Sequence, residues 1–260
     1  MFLVDSHCHL NQLNYKNIHK NVSDVLDKAH KKGVQLILSV STDLLDYDDM
    51  IKCIGYRNDV LFSCGIHPVN LYNIPHFDYN KLHDLASDEK VIAIGETGLD
   101  YYQRVDSKDK QKESFRKHIS IAKNLNKPLI VHSRQAIRDA MSLLVEEHAE
   151  TCGGVLHCFN ENIDIARSLF DINFYVSFSG MITFNNFSKL KKIIEYIPLD
   201  RILLETDSPY LTPNPYRGHE NQPAYVYEVA KYVARIKNIT IEHLAYMTTT
   251  NFYRLFRISI

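Results

Sequence analysis

Residues 3–10 read Leu-Val-Asp-Ser-His-Cys-His-Leu. Leu3 and Val4, with Phe2 before them, are apolar and β-prone, so the segment is expected to be a buried strand. Side chains alternate along a strand, which puts His7 and His9 on one face and Cys8 on the other. Two imidazoles on one face at the end of a strand are half of a metal site. Taken alone, the pair fits an ordinary surface strand equally well.

Working outward, seven more short apolar runs follow, at 34–40, 60–65, 91–95, 128–132, 154–157, 174–178 and 202–205. With 2–6 they make eight strand candidates, mostly continuous in apolar character, as expected of parallel strands buried on both faces. Amphipathic helices lie between them. Val22, Val25, Leu26 and Ala29 follow helical spacing after a candidate N-cap at Asn21, and Gly33 ends that helix. Phe115, Ile119, Ala122 and Leu125 form the inner stripe of another, stopped by Lys127-Pro128. A loop over 68–75 follows the third strand. A long irregular stretch, 208–222, follows the eighth and holds three of the eight prolines. A helix then begins at Pro223 with Val226, Val229, Ala230 and Val233 inside, and two short C-terminal helices follow, the last carrying Phe252, Leu255 and Phe256. Eight strands alternating with helices predict an α/β fold, a (β/α)8 TIM barrel, as one domain across residues 1–260. The alternative, an open doubly wound sheet, lacks a GxGxxG or P-loop after any strand.

Composition narrows the class. Hydrophobic content of 45% and charged content of 23% are globular values, and a net charge of −1 argues against tight, non-specific duplex binding through a basic face. It does not exclude a nuclease whose metals supply local positive charge. No apolar stretch is long enough to span a bilayer. Five cysteines without a CxxC pair point to reduced thiols and a cytoplasmic setting. No secretory leader is read at the start, and a cleavable one inside this chain would remove His7 and His9.

A barrel carries its active site at the C-terminal ends of its strands. There the chain places His7 and His9, then Gly65-Ile66-His67-Pro68, Gly95-Glu96-Thr97-Gly98-Leu99-Asp100, His132-Ser133-Arg134, His157, and Glu205-Thr206-Asp207-Ser208-Pro209. Ligand-type residues crown six of eight strands. Four histidines, a glutamate and an aspartate exceed the needs of one open catalytic ion and suit two divalent ions about 3.5–4 Å apart. Glu96 is the expected bridge. His7, His9 and Asp207 would complete one ion, and His132 and His157 the other.

With these motifs in view, the chain resembles the TatD family of metal-dependent deoxyribonucleases, a branch of the amidohydrolase superfamily, and above all its bacterial YcfH-type members. The resemblance runs from residue 2 to about residue 256, with no departure at a ligand position. It implies a hydrolase cleaving DNA phosphodiester bonds with a water activated by two divalent ions (Zn²⁺, Mn²⁺ or Mg²⁺), with 3′→5′ exonuclease action on single-stranded ends as the finer expectation. Asp207 is expected to orient the water and accept its proton, with Glu96 as its partner in catalysis. His67 is a candidate for substrate phosphate or an acid, and equally for a supporting role. Arg134 is a candidate phosphate clamp. Tyr101 and Tyr102 can stack a base, though packing is the default reading, and Asp100 can hold a ligand histidine. Arg217, His219 and Asn221 lie beside the site. His19, His30, His76, His83, His118, His148 and His243 are expected to be structural or exposed. Two further readings stay open: a small-molecule amidohydrolase or phosphoesterase using the same centre, and a metal-binding interaction protein without catalysis.

Overall fold

The computed structural model describes residues 2–73, 77–103, 105–184 and 190–258. Pro75 and His76, assigned above to a side loop, lie outside those residues. Eight parallel strands run in sequence order: β1 (Leu3–Cys8), β2 (Val34–Val40), β3 (Val60–Cys64), β4 (Val91–Asp100), β5 (Leu129–Arg134), β6 (Gly154–Leu156), β7 (Phe174–Phe178) and β8 (Ile202–Leu204). Each pairs with the next in parallel. The seam between β8 and β1 closes just past the end of β8. There His9 N–H donates to Ser208 O at 2.8 Å, Asp207 N–H donates to His7 O at 2.9 Å, and Cys8 bridges Ser208. The fold is a (β/α)8 TIM barrel, closed at the residues that end β1 and follow β8.

Nine helices are described: α1 (Val22–Lys31), α2 (Leu44–Ile54), α3 (Tyr79–Ala86), α4 (Lys108–Leu125), α5 (Ile137–Glu146), α6 (Ile163–Asp171), α7 (Leu190–Tyr196), α8 (Val226–Lys237) and α9 (Ile241–Phe256). In α1 the Asn21 side chain accepts from Asp24 N–H, and Val22, Val25, Leu26 and Ala29 are buried as the spacing requires. The expected two short C-terminal helices are one helix of 16 residues, α9. No glycine or proline interrupts it. Thr248 and Thr250 turn their hydroxyls onto the carbonyls of Leu244 and Tyr246 one turn back, and the helix buries Leu244, Ala245, Thr248, Phe252, Leu255 and Phe256 along one face. Phe252, Leu255 and Phe256 of α9 pack with Val4, Leu38, Ile92, Ile130, Val155, Tyr175 and Leu203, a second cluster inside the barrel. The larger cluster lies between strands and helices.

Two irregularities aim the site. Between Asp5 and Cys8 the β1 ladder gains a residue over β2, and between Ile94 and Thr97 β4 gains one over β5. An extra residue reverses which face the following side chains take. Val4 faces inward, so regular alternation would turn Ser6 and Cys8 inward; the bulge turns His7 and His9 inward instead. Glu96 sits within the second bulge. β4 also extends five residues beyond its expected end, because Thr97 to Asp100 resume pairing with Val131 to Arg134. Gly98, at φ +133, is needed there: a Cβ would overlap the His132 carbonyl oxygen.

On α4, His118 is fully buried. Its Nδ1–H donates to Ser114 O at 2.7 Å, and its Nε2 accepts from Ile66 N–H at 3.0 Å, tying down the turn before His67. Burial pushes its imidazole down to about 4, opposed by the Ser114 hydrogen bond. The unfolded chain titrates near 6.5, so between about 6.5 and 4 the unfolded state binds a proton that the native state excludes, and stability falls as pH falls. His118→Gln should remove this component. The stability gap between wild type and variant in urea titrations should change by up to about 3 kcal/mol from pH 7 to pH 4. Parallel pH profiles would contradict the assignment.

Candidate metal centre

The structure brings His7, His9, Glu96, His132, His157 and Asp207 to one point at the C-terminal mouth, and His67 joins them. His7 Nε2 lies 3.4 Å from His9 Nε2, 3.4 Å from Glu96 Oε2 and 3.6 Å from Asp207 Oδ1. His9 Nε2 lies 3.7 Å from Glu96 Oε2 and 3.5 Å from Asp207 Oδ1. On the other side, Glu96 Oε1 is 3.0 Å from His132 Nδ1, 2.9 Å from His157 Nε2 and 3.4 Å from His67 Nε2. His132 Nδ1 and His157 Nε2 are 3.4 Å apart. The two oxygens of Glu96 therefore face two separate groups of imidazoles.

What lies behind each ring decides what its inner nitrogen can do. His9 Nδ1 donates to Val40 O at 2.9 Å. His132 Nε2 meets Asp100 Oδ2 at 3.1 Å, and His157 Nδ1 lies 3.5 Å from Glu205 Oε1. The His9 and His132 rings spend a proton on an outer acceptor, so their inner nitrogens present lone pairs to carboxylate oxygens, while His157 Nδ1 faces the Glu205 carboxylate without a formed hydrogen bond. Acceptor facing acceptor requires a cation between them, either a proton or a metal. His7 Nδ1 is buried with no hydrogen-bond partner among the described residues. His67 is different. Its Nδ1 accepts from Val69 N–H at 3.2 Å, so the neutral ring carries its proton on Nε2 and donates towards Glu96.

Protonation follows the same division. Burial alone would push the His157 imidazole down, yet Glu96 and Glu205 hold it well above its ordinary range. His9, also opposed by burial, is held up at about 9 by Asp207 and Glu96. His132 is raised against burial by Asp100 and Glu96. Burial would lift Glu96, but His157, His67 and His132 hold it well below the carboxylate range. Asp207 is lowered, against burial, by His9, His7 and His157. His67 alone moves down, through burial first and the neighbouring imidazolium charges next, with Glu96 opposing. The metal-free centre keeps protons where cations would sit, so metal binding must release them.

A metal fits this donor set. Nitrogen and oxygen ligands at about 2.1 Å in a tetrahedral array stand about 3.4 Å apart. His7 and His9 stand 3.4 Å apart, and each lies 3.4 to 3.7 Å from Glu96 Oε2 and from Asp207 Oδ1. His7, His9 and Asp207 form one group with ligand atoms close enough to hold an ion, His7, His157 and Glu205 a second, and His67, Glu96 and His132 a third, in which His67 would have to give up its Nε2 proton. Asp207 has φ +57, a left-handed backbone unusual for a non-glycine residue and common at functional sites.

The chain as a whole is similar to known proteins. The family model described as TatD related DNase matches residues 4–257. The chain belongs to the TatD family. It is 53% identical over 258 residues to the uncharacterized metal-dependent hydrolase YcfH of Escherichia coli K12, covering 99% of this chain and 97% of that protein. It is 33% identical to the putative deoxyribonuclease TATDN3 of Mus musculus, covering 98% and 88%. The solved structure of YjjV, a TatD homolog from E. coli, superposes with a TM-score of 0.91 at 24% identity, covering 99% and 98%, which supports the fold. The chain is thus a metal-dependent hydrolase of the TatD family.

Around the centre, the outcomes differ residue by residue. Asp100 reaches His132, and its backbone is clamped by the Gln111 side chain. Arg134 lies at the rim with its guanidinium 3.9 Å from the Tyr102 ring. Tyr101 is turned away onto α5, its hydroxyl donating to Asp139 at 2.7 Å. Arg217 lies over Phe184, while Asn221 is buried and ties the carbonyls of Thr206 and Tyr210 together. His19 is buried against Glu220. Sequence reasoning gave Glu205 no role, yet it is fully buried, accepts from Cys158 N–H at 2.7 Å and Ser177 Oγ at 2.6 Å, and faces His157. Its place two residues before Asp207, on the same strand face, is the signal that would have found it. Glu205→Ala would leave two buried donors without an acceptor. It should cost about 3 kcal/mol or more in urea unfolding with chelator present, and a loss under about 1 kcal/mol would contradict this role.

Proposed function

We propose that this chain is a deoxyribonuclease with two divalent ions at one centre, contained in a single domain over residues 1–260. His7, His9, Asp207 and Glu96 Oε2 would hold one ion; His132, His157 and Glu96 Oε1 would hold the other. The observation that carries the reading is the inward set of imidazole nitrogens, backed by Val40 O at His9, Asp100 at His132 and the nearby Glu205 carboxylate at His157, and split between the two oxygens of one carboxylate. Bound there, two ions would supply an activated water and charge stabilisation on the attacked phosphorus.

The protein residues divide the remaining work. Asp207, held ionised by His9 and its neighbours, orients the attacking water and accepts its proton. Glu96 fixes the spacing of the two halves of the centre. His67, with a proton on Nε2, donates to a substrate phosphate oxygen at the mouth, a role that a lowered imidazole basicity favours in the neutral form. Arg134 supplies positive charge at the rim. The matched family description and the name of the mouse relative favour DNA over a small amide or lactone. Action from the 3′ end of single strands is the finer expectation, and the cytoplasm the expected setting.

Purified protein loaded with Mn²⁺, Mg²⁺ or Zn²⁺ should shorten end-labelled single-stranded DNA. Glu96→Gln should reduce this by about a thousandfold or more and lower the bound metal on elemental analysis. Inert DNA with every metal, together with rapid turnover of a small amide or lactone, would overturn the nuclease reading. Unchanged metal content in Glu96→Gln would overturn the bridge.

A further inference from the structure

Arg134 is a cation without an anion. Among the described residues no carboxylate stands within ion-pair distance of it, although two lie nearby in the fold. Asp100 Oδ2 is engaged by His132, and Asp100 Oδ1 accepts from Tyr102 N–H at 3.0 Å and Gln103 N–H at 2.8 Å. Asp139 is held by Lys112 and the Tyr101 hydroxyl. Its guanidinium carbon lies 3.9 Å from the centroid of the exposed Tyr102 ring, a cation–π contact. Stacking orients the plane of the guanidinium and leaves its N–H edges for an oxyanion.

Position says which oxyanion. His132 and Arg134 share the inward face of β5, two residues apart, and a strand rises about 3.3 Å per residue. The backbone of Arg134 thus lies roughly 6.6 Å beyond that of His132, and its side chain is drawn further, onto the turn after β4. A phosphate reacting beside Glu96 and His132 is therefore not the group that Arg134 meets. One nucleotide advances a strand by about 3.4 Å when stacked and by more when extended. Resting on the nuclease reading above, we propose that the Arg134–Tyr102 pair is a subsite for the phosphodiester adjacent to the scissile one, so that the substrate class is a polynucleotide strand rather than an isolated phosphodiester.

The pair is built into the centre. Asp100 holds the His132 ring with one oxygen and the Tyr102 turn with the other, and Gln111 grips the backbone N–H and C=O of Asp100. One carboxylate therefore fixes the distance between the reacting phosphate and its neighbour. Tyr102 acts as a positioning residue and Arg134 as the phosphate contact.

The test is a chemical double-mutant cycle on the metal-loaded enzyme, with single-stranded oligonucleotides carrying one neutral methylphosphonate on either side of the cleaved linkage. On one side, wild type should lose about tenfold to a hundredfold in kcat/KM relative to the all-phosphate strand. Arg134→Gln should lose about as much on the all-phosphate strand and show no further loss on the neutral one. Tyr102→Phe should keep the discrimination and Tyr102→Leu should weaken it. Equal discrimination by wild type and Arg134→Gln, or tolerance of the neutral linkage by wild type on both sides, overturns the subsite while leaving the nuclease reading standing. Wild type that cuts no strand at all overturns the nuclease reading, and the subsite falls with it.

Discussion

Glu96 is a buried carboxylate at the mouth of a closed barrel, and protein groups must balance its charge. Imidazoles do this on both sides: His7 and His9 face one oxygen, and His67, His132 and His157 face the other. These residues come from four other strands or strand ends, so the balance exists only when the barrel is closed. Closure and site share atoms. The hydrogen bonds that join β1 to the segment after β8 involve the backbones of His7, His9, Asp207 and Ser208. Misfolding of the seam would separate His7 and His9 from Asp207 and leave Glu96 half-compensated.

Around this centre lies a second ring of groups that act by setting tautomers. Val40 O and Asp100 take the outer protons of His9 and His132, the Glu205 carboxylate lies 3.5 Å from His157 Nδ1, and Val69 N–H donates to the outer nitrogen of His67. The same histidine side chain therefore plays two roles a few ångströms apart. The His9 and His132 rings face inward with a lone pair, suited to a cation, and His67 faces inward with a proton, suited to an anion. Asp100 carries this ordering outward to the rim, where Tyr102 and Arg134 meet the solvent.

Much of this was legible in the chain. Two of the strands, Val34–Val40 and Phe174–Phe178, lie where the apolar runs place them, and the six ligand-type residues meet because strand ends in a barrel must meet. The reason first given for His7 and His9 was too simple. Plain alternation would have turned them away from the interior, and a bulge at Ser6–His7 restores them. A bulge depends on the partner strand, so it cannot be read from one segment. Glu205 was passed over because its importance comes from three buried partners, only one of them a residue the sequence had marked. The expected division of α9 into two helices fails because the burial of Phe252, Leu255 and Phe256 against strand residues such as Val4, Leu38 and Ile130 is a long-range contact that one segment does not reveal.

The central claim is that one carboxylate divides a single pocket between two cations. Crystals grown with Mn²⁺ and measured at its absorption edge address it most directly. Two anomalous peaks about 3.5–4 Å apart, one on each side of the Glu96 carboxylate, are the predicted result. A single peak held by His7, His9 and Asp207 with Glu96 left protonated or turned aside would contradict it.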